Sequence, residues 1–358
     1  MAEALLTGFP GFIGRRLARR LVEDDPGLRV VALVERRMLD TAREVAAGIE
    51  GDRIDVIAGD ITERRLGLGE DDYERVTAQA RRVYHLAAIY DLAVPIQVAQ
   101  AVNVEGTGNV LELCAACKQL ERLVYISTAY VAGWRTGVVY EHELSLGQSF
   151  KNHYESTKFQ AELWAREYAG RIPMTILRPA IVVGDSATGE TEKFDGPYYL
   201  LRSVSRMARL GRSVVQFGRA DAPFNVVPVD FVVRAIAAAG QAPDALGATL
   251  HLVDPEPLTS RELIGILSRT YAGREPRGRI PPALATGALG LKAVRDALGG
   301  TPRESIAYLN HPVNFDTRRA IDVLDPIGLR PPRFGDYVET MVRFFREHED
   351  DPAFATRR

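Results

Sequence analysis

Cysteine is almost missing from this sequence, with two among 358 residues. Cys114 and Cys117 cannot build a disulfide framework, and no second pair completes a metal site. Their spacing inside a helical pattern reads as buried helix cysteines. Net charge is nearly missing as well. The formal value of −2 leaves no basic surplus to neutralise phosphates, so nucleic acid is not an expected partner. No apolar run approaches the ~20 residues that span a bilayer. The first strand-like run starts at Ala4 with no basic segment before it, which argues against a secretory leader. These absences describe a cytoplasmic protein without a transmembrane segment, long enough for one large domain or a domain with a smaller lobe.

What is present is concentrated at the start. The run Ala4-Leu5-Leu6-Thr7 feeds into Gly8, Gly11 and Gly14 at GxxGxxG spacing, and Arg15, Arg16, Leu17, Ala18 and Leu21 continue with helical periodicity. Strand, glycine turn and helix form the unit that holds a dinucleotide pyrophosphate. Gly8 permits the tight turn, Gly11 lets the backbone approach the phosphates, and Gly14 lets helix and strand pack closely. The helix N-terminus adds unpaired N–H groups and a partial positive charge. Glycines also serve tight turns for structural reasons alone, so the rest of the chain must decide.

The segments that follow alternate. Strands are expected at Arg29–Val34, Ile54–Ala58, Arg82–Ala88, Leu123–Ile126 and Met174–Leu177, and helices at Thr41–Gly48, Ala99–Lys118 and from Tyr154. This alternation specifies an α/β fold, a doubly wound parallel sheet of Rossmann type covered on both faces. Ligands in such sheets sit beyond the carboxyl ends of the strands. Gly8, Glu35, Asp60, Ala87, Thr128 and Arg178 all fall on that edge. Asp60 can accept from an adenine amino group or cap the next turn. His85, inside an apolar run without partner ligands spaced around it, reads as a hydrogen-bonded core histidine. Past Gly184 the alternation loosens. Residues 1–184 therefore read as the dinucleotide-binding domain. Residues 185–358 read as a smaller C-terminal substrate lobe interleaved with its last elements, with helices at Tyr198–Leu210, Thr259–Tyr271, Pro281–Leu298 and Tyr337–His348.

Tyr154 and Lys158 are four apart at a helix start and share a face. A free phenol, with a pKa near 10, is a poor proton shuttle at neutral pH. A neighbouring ammonium favours the phenolate and lowers that value. Such a tyrosine protonates a carbonyl oxygen as hydride arrives, while a hydroxyl from Thr128 or Ser127 holds that oxygen. YxxxK alone is common on helix surfaces. Behind a glycine loop and a Ser-Thr strand end it reads as chemistry.

Together, Thr7-Gly8-Phe9-Pro10-Gly11-Phe12-Ile13-Gly14, Gly59-Asp60-Ile61, His85-Leu86-Ala87-Ala88, Asn103-Val104-Glu105-Gly106-Thr107, Ser127-Thr128-Ala129, Tyr154-x-x-x-Lys158 and Arg178-Pro179 resemble the extended short-chain dehydrogenase/reductases. The Ser127–Gly133 and Arg178–Ser186 stretches are most similar to the thioester-reductase and fatty acyl-CoA reductase branch. The resemblance implies Tyr154 as proton donor, with Lys158 lowering its pKa and binding the nicotinamide ribose. Thr128 becomes the hydroxyl partner, with Ser127 as second candidate. Gly8, Gly11 and Gly14 hold the pyrophosphate, Asp60 the adenine, and Ala87 and Ala88 line the cleft. Thr7, Phe12, Ile13, Ile61, Asn103 and Pro179 join the cofactor contacts. The family resemblance also implies a homodimer through the helices bearing Asn103 and Tyr154.

The end of the second strand carries both kinds of ribose signal. An acid such as Glu35 accepts from ribose hydroxyls, whereas Arg36 and Arg37 suit a 2′-phosphate. Arg15 adds a cation behind the loop, which tips the reading to NADP(H) with NAD(H) as the alternative. Phe194, Tyr198 and Tyr199 either line a substrate pocket or pack a core. Ile280–Leu298 either meets an acyl chain or membrane surface or is an ordinary lobe helix. The expected reaction is reduction of an acyl thioester or its aldehyde. The rivals are a sterol or nucleotide-sugar dehydrogenase or epimerase, and a non-catalytic dinucleotide sensor.

Overall fold

In the computed structural model, residues 2–49, 51–90, 94–217, 220–280, 284, 287 and 305–354 are described. The apolar runs form strands that are buried on both faces. In β1 (Ala2–Thr7) and β2 (Leu28–Val34) alternate side chains feed opposite layers. Ala4, Leu6, Val30 and Ala32 enter one core, and Leu5, Val31 and Leu33 the other. A period of two with both sets apolar is what a doubly covered parallel strand requires.

Between the strands run α1 (Phe12–Asp24), α2 (Leu39–Ala47), β3 (Ile54–Ala58), α3 (Glu70–Gln79) and β4 (Ala80–His85). Then α4 (Ile96–Ala99) passes through a π-helical turn, Gln100–Glu105, into α5 (Gly106–Ala116). β5 (Arg122–Ile126), β6 (Gly137–Val139), α6 (His153–Tyr168), β7 (Met174–Pro179) and β8 (Ile181–Val183) complete the first part. The remainder holds α7 (Tyr198–Arg209), β9 (Gln216–Phe217), β10 (Val226–Pro228), α8 (Val229–Ala239), β11 (Thr249–Leu252) and α9 (Ser260–Ala272), with later helices Arg318–Leu324 and Phe334–His348.

The main sheet has the order β11-β7-β5-β4-β1-β2-β3, and all its pairs are parallel. Strand order reverses between β1 and β4, so the ligand crevice of an open α/β sheet falls there. On one face lie Leu17 and Leu21 of α1 with Val232 and Ile236 of α8. On the other lie Val110 and Leu113 of α5 with Ala161 and Ala165 of α6. A third core, built from Phe194, Tyr198, Leu263, Tyr337 and Phe345, belongs to the C-terminal part.

The expected Rossmann-type sheet is present, with shifted edges. β4 ends at His85, because the Thr7 hydroxyl takes the N–H groups of Leu86 and Ala87, both at 3.2 Å. The helix bearing Asn103 starts before Ala99 and stops before Cys117, whose backbone is extended. The last helix starts at Phe334, where Arg333 and Asp336 form a reciprocal cap. β11 and α8 show that the sheet takes elements from beyond residue 184. The expected helix Pro281–Leu298 lies outside the described residues, apart from Leu284 and Gly287.

Candidate active site

The β1–α1 turn is a cradle made by close backbone packing. Gly8 has φ +87°, and a Cβ on it would come within 3.0 Å of Leu86 and Ala87. A Cβ on Gly11 would meet the Gly8 carbonyl at 2.9 Å, and one on Gly14 would overlap the same carbonyl. α1 opens at Gly11 with no side-chain cap and no acid in its first turn. Its first N–H groups therefore face outward with the positive end of the helix dipole, which fits a diphosphate. Phe12 and Ile13 are half-buried beside it.

The charges around the cradle are partly spoken for. Arg15 and Arg16 reach Glu190 of the 185–197 loop at 3.4 and 2.9 Å, and Arg16 stacks 4.4 Å over Phe12. Beyond β2, Arg37 pairs with Glu35 at 2.5 Å, whereas Arg36 is exposed and has no ion-pair partner among the described residues. One oxygen of Asp60 accepts from the N–H and hydroxyl of Thr62, at 2.8 and 2.7 Å. That carboxylate closes a turn, the second of its two expected roles. Ile61 is buried, its Cδ1 in the place a Cβ on Gly106 would take, and it faces α5.

At the β1/β4 seam a chain of hydrogen bonds fixes a neutral histidine. Thr107 donates to the Asn103 carbonyl at 2.7 Å, so its oxygen accepts from His85 Nε2 at 3.0 Å. His85 Nδ1 then accepts from the Thr7 hydroxyl at 2.8 Å. Burial pushes this imidazole down to about 3, as expected for a core histidine. Thr7 is fully enclosed. Its side chain ties β1 to β4, which departs from the expected cofactor contact. Asn103 is also fully buried: it accepts from Ile89 N at 2.8 Å and donates to Ile89 O and the Thr157 hydroxyl, both at 3.0 Å. It positions the loop after β4 and helix α6, so its side chain is scaffold. The π-helical turn aims it there, consistent with where such turns occur.

α6 carries the candidate pair, Tyr154 and Lys158. Asn152 caps it, accepting from Glu155 N at 2.9 Å, which places Tyr154 in the first turn. The half-buried phenol of Tyr154 feels the Thr128 hydroxyl, at the carboxyl end of β5. Burial pushes the phenol up to about 12, while the Thr128 hydroxyl works against that rise. Lys158, one turn on, is buried and donates to the Ile126 carbonyl at 2.7 Å and to Tyr125 Oη at 3.1 Å. Burial brings its ammonium down to about 7. The expected lowering of the phenol by Lys158 is not found. The amine is committed to β5, and Thr128 is what favours the phenolate. Ala87 and Ala88 are half-buried at the end of β4, and Pro179 is buried beside Thr128.

Ser127, the second candidate hydroxyl, points away from this pair. It donates to Glu162 at 2.6 Å. Glu162 is fully buried and gripped by Arg178, whose Nη2 and Nε lie 2.6 and 3.0 Å from its two oxygens. The arginines hold this carboxyl below its usual range despite burial. Arg178 sits inside β7 with no exposure, so its place on the ligand edge is structural. Sequence reading missed Glu162, although its spacing of four from Lys158 was a signal. Phe194 and Tyr198 are core residues: Phe194 meets Tyr198, Phe345 and Phe354 at 5.2, 4.8 and 5.0 Å, and Tyr198 Oη accepts from Gly184 N. Tyr199 is buried on the same helix. These three follow the packing alternative. Among the described residues no cluster suits a metal ion, and no helix is long and apolar enough to cross a membrane.

The model of the family described as male sterility protein matches residues 6–236. The L-2-aminoadipate reductase large subunit of Penicillium chrysogenum is 27% identical over 290 residues, covering 73% of this chain and 20% of that protein. Fatty acyl-CoA reductase wat of Drosophila melanogaster is 28% identical over 214 residues, covering 52% and 41%. The chain thus spans less than half the length of these two relatives. The crystal structure of the terminal R domain from the myxalamid PKS-NRPS biosynthetic pathway has a TM-score of 0.82 at 26% identity, covering 99% of this chain and 92% of that one. A UDP-glucuronic acid 4-epimerase from Bacillus cereus, in complex with NAD, shares the fold at a TM-score of 0.68 and 20% identity, covering 96% of this chain and 99% of that one.

Proposed function

The chain belongs to the male sterility protein family, NAD(P)-dependent reductases of the extended short-chain dehydrogenase/reductase type, and we propose that it reduces a fatty acyl thioester or the derived aldehyde. The observation that carries the chemistry is the convergence of Tyr154 and Lys158, one turn apart on α6, on the carboxyl end of β5, where Lys158 donates to the Ile126 carbonyl and the Thr128 hydroxyl acts on the Tyr154 phenol. A nicotinamide dinucleotide, when bound, supplies hydride to the carbonyl carbon. The cradle of Gly8, Gly11 and Gly14 holds its diphosphate, and Ala87 and Ala88 flank it. Thr128 and Tyr154 together hold the carbonyl oxygen. The phenol, pushed up to about 12 by burial, enters fully protonated and gives its proton to that oxygen. Lys158 stands one turn behind it, its ammonium brought down to about 7 by burial. Retention of Tyr154, Thr128 and Lys158 argues against a sensor, and the nucleotide-sugar epimerase is the more distant match.

The basic residues support NADP(H) over NAD(H). Arg37 neutralises Glu35, while Arg36 stays open to a 2′-phosphate. Division near residue 184 and a homodimer belong to the same reading; Val98 and Trp164, exposed on the helices concerned, support the dimer. The test is a rate panel with octanoyl-CoA, octanal and UDP-glucose, each with NADPH and NADH. Turnover of octanoyl-CoA or octanal, faster with NADPH, is expected, and Tyr154→Phe should slow it by about 10²–10⁴. No turnover of either acyl probe, or an intact rate in Tyr154→Phe, overturns the proposal.

A further inference from the structure

Three residues before Tyr154 stands a lysine with 2% of its side chain exposed. The Lys151 ammonium lies among three rings, 5.0 Å from Trp134, 5.4 Å from Tyr308 and 5.9 Å from Tyr130. It donates to the Gly133 carbonyl and to Glu155 Oε1, the latter at 3.4 Å. Glu155 is itself fully buried, and its other oxygen accepts the Lys151 N–H at 2.9 Å. Together with the Asn152 cap on Glu155 N, this closes the first turn of α6 on itself. Asn152 Nδ2 donates to the Tyr308 hydroxyl at 2.8 Å, and that hydroxyl faces Glu155 closely enough to bear on its carboxyl.

Tyr308 comes from the C-terminal lobe. Its ring also meets Tyr130 edge-on at 5.0 Å, on the short turn that follows Thr128. One lobe residue therefore touches both elements that carry the reacting hydroxyls. A buried lysine–glutamate pair is favourable only when its surroundings satisfy it. From outside the helix it meets the Gly133 carbonyl and, from the C-terminal lobe, the ring of Tyr308, whose hydroxyl accepts from Asn152. We propose that Tyr308 is a positioning residue, which sets the first turn of α6, and so Tyr154 against Thr128, through Asn152, Glu155 and Lys151. This rests on the reading of Tyr154 as the proton donor.

The groups acting on the Tyr154 phenol are Glu155 on its own helix, Thr128 at the end of β5, and Tyr90 after β4 with Lys193 5.2 Å over its ring. Tyr125 from β5 also feels it. Tyr308→Phe keeps the ring box and removes only the hydroxyl. With octanal, kcat should fall roughly tenfold or more, while the affinity for NADPH stays within about twofold because the cradle is untouched. Unchanged kcat overturns the proposal, and so does a parallel loss of NADPH affinity, which marks general damage. Glu155→Gln removes the charge facing Tyr154. The alkaline limb of kcat, where the phenol loses its proton, should move to lower pH by roughly half a unit, and an unmoved limb also overturns the proposal. Should Tyr154→Phe retain activity, the reading of the site fails, and the hold of Tyr308 on the first turn of α6 is then read by hydrogen exchange. Amides 153–157 should exchange roughly tenfold faster in Tyr308→Phe, with protection of β1 and β5 intact; unchanged exchange at 153–157 overturns it.

Discussion

Helix α6 buries two carboxylates two turns apart, and they live under opposite conditions. Glu162 sits between Arg178 and Arg166 with Ser127 as a further donor, and its carboxyl is held below the usual range. Glu155 has one cation, Lys151, and burial pushes its carboxyl above the usual range. The first is anchored inside the sheet by strand residues. The second depends on a residue from the C-terminal lobe. One end of the helix that bears Tyr154 is therefore fixed by the Rossmann core, and the other is proposed to be adjusted by the part of the molecule expected to read substrate.

The largest expected effect tests the rigid end. Glu162→Gln leaves the Arg178 guanidinium buried without its counter-charge, because His251 Nε2, 3.1 Å away, is neutral and offers only a lone pair. Breaking a buried pair in this way costs about 3–5 kcal/mol, read by urea denaturation at neutral pH. A cost below about 1 kcal/mol would mean that the pair is as weak as one on the surface, and the contrast between the two ends would collapse.

The sign of the pH dependence separates the two carboxylates more finely. Glu162, with its folded pKa lowered, contributes stability that is complete above the ordinary carboxylate pKa and is lost as pH falls through the lowered value. Glu155, with its folded pKa raised, is costly to ionise in the folded state. Stability attributable to it grows as pH falls from just above the ordinary range toward that range. Denaturation across mildly acid pH should therefore show Glu155→Gln narrowing toward wild type at higher pH, while the Glu162→Gln deficit stays constant there. Equal trends for the two variants would remove the distinction.

The same contrast explains what the sequence made legible. The glycine loop, the parallel strands and the Tyr154–Lys158 spacing depend on local periodicity and neighbours within one element, and all were readable. Side-chain direction at the strand ends was not. Thr7, Ser127 and Arg178 lie on the correct edge, yet their polar atoms turn inward, Thr7 to His85 and both Ser127 and Arg178 to Glu162. A strand end fixes a position to within a residue, and a one-residue step reverses the face. Tyr308 was invisible for a different reason: its partners Asn152 and Lys151 are remote in sequence, so no spacing rule connects them. Phe194 and Tyr198 could be read as pocket or core, and the structure places both in a buried aromatic cluster, as aromatic side chains commonly are.

The smallest expected effect falls between the two carboxylates, on Lys158. Its ammonium is brought down to about 7 by burial, and the nearby charge of Glu162 opposes that fall, whereas Glu155 takes no part. The ammonium is the form that donates to ribose hydroxyls, so NADPH affinity should weaken as pH rises through about 7. Lys158→Met should flatten that dependence. Removing the Glu162 charge withdraws support from the ammonium, and Glu162→Gln should move the midpoint to lower pH by roughly half a unit. Glu155→Gln should leave it in place. Fluorescence titration of NADPH across that range distinguishes these outcomes, and a midpoint that moves equally in both variants would show that the two ends of α6 act on Lys158 alike. If only Glu162→Gln moves it, the rigid end of the helix governs the cation, while the end held by the lobe governs the phenol.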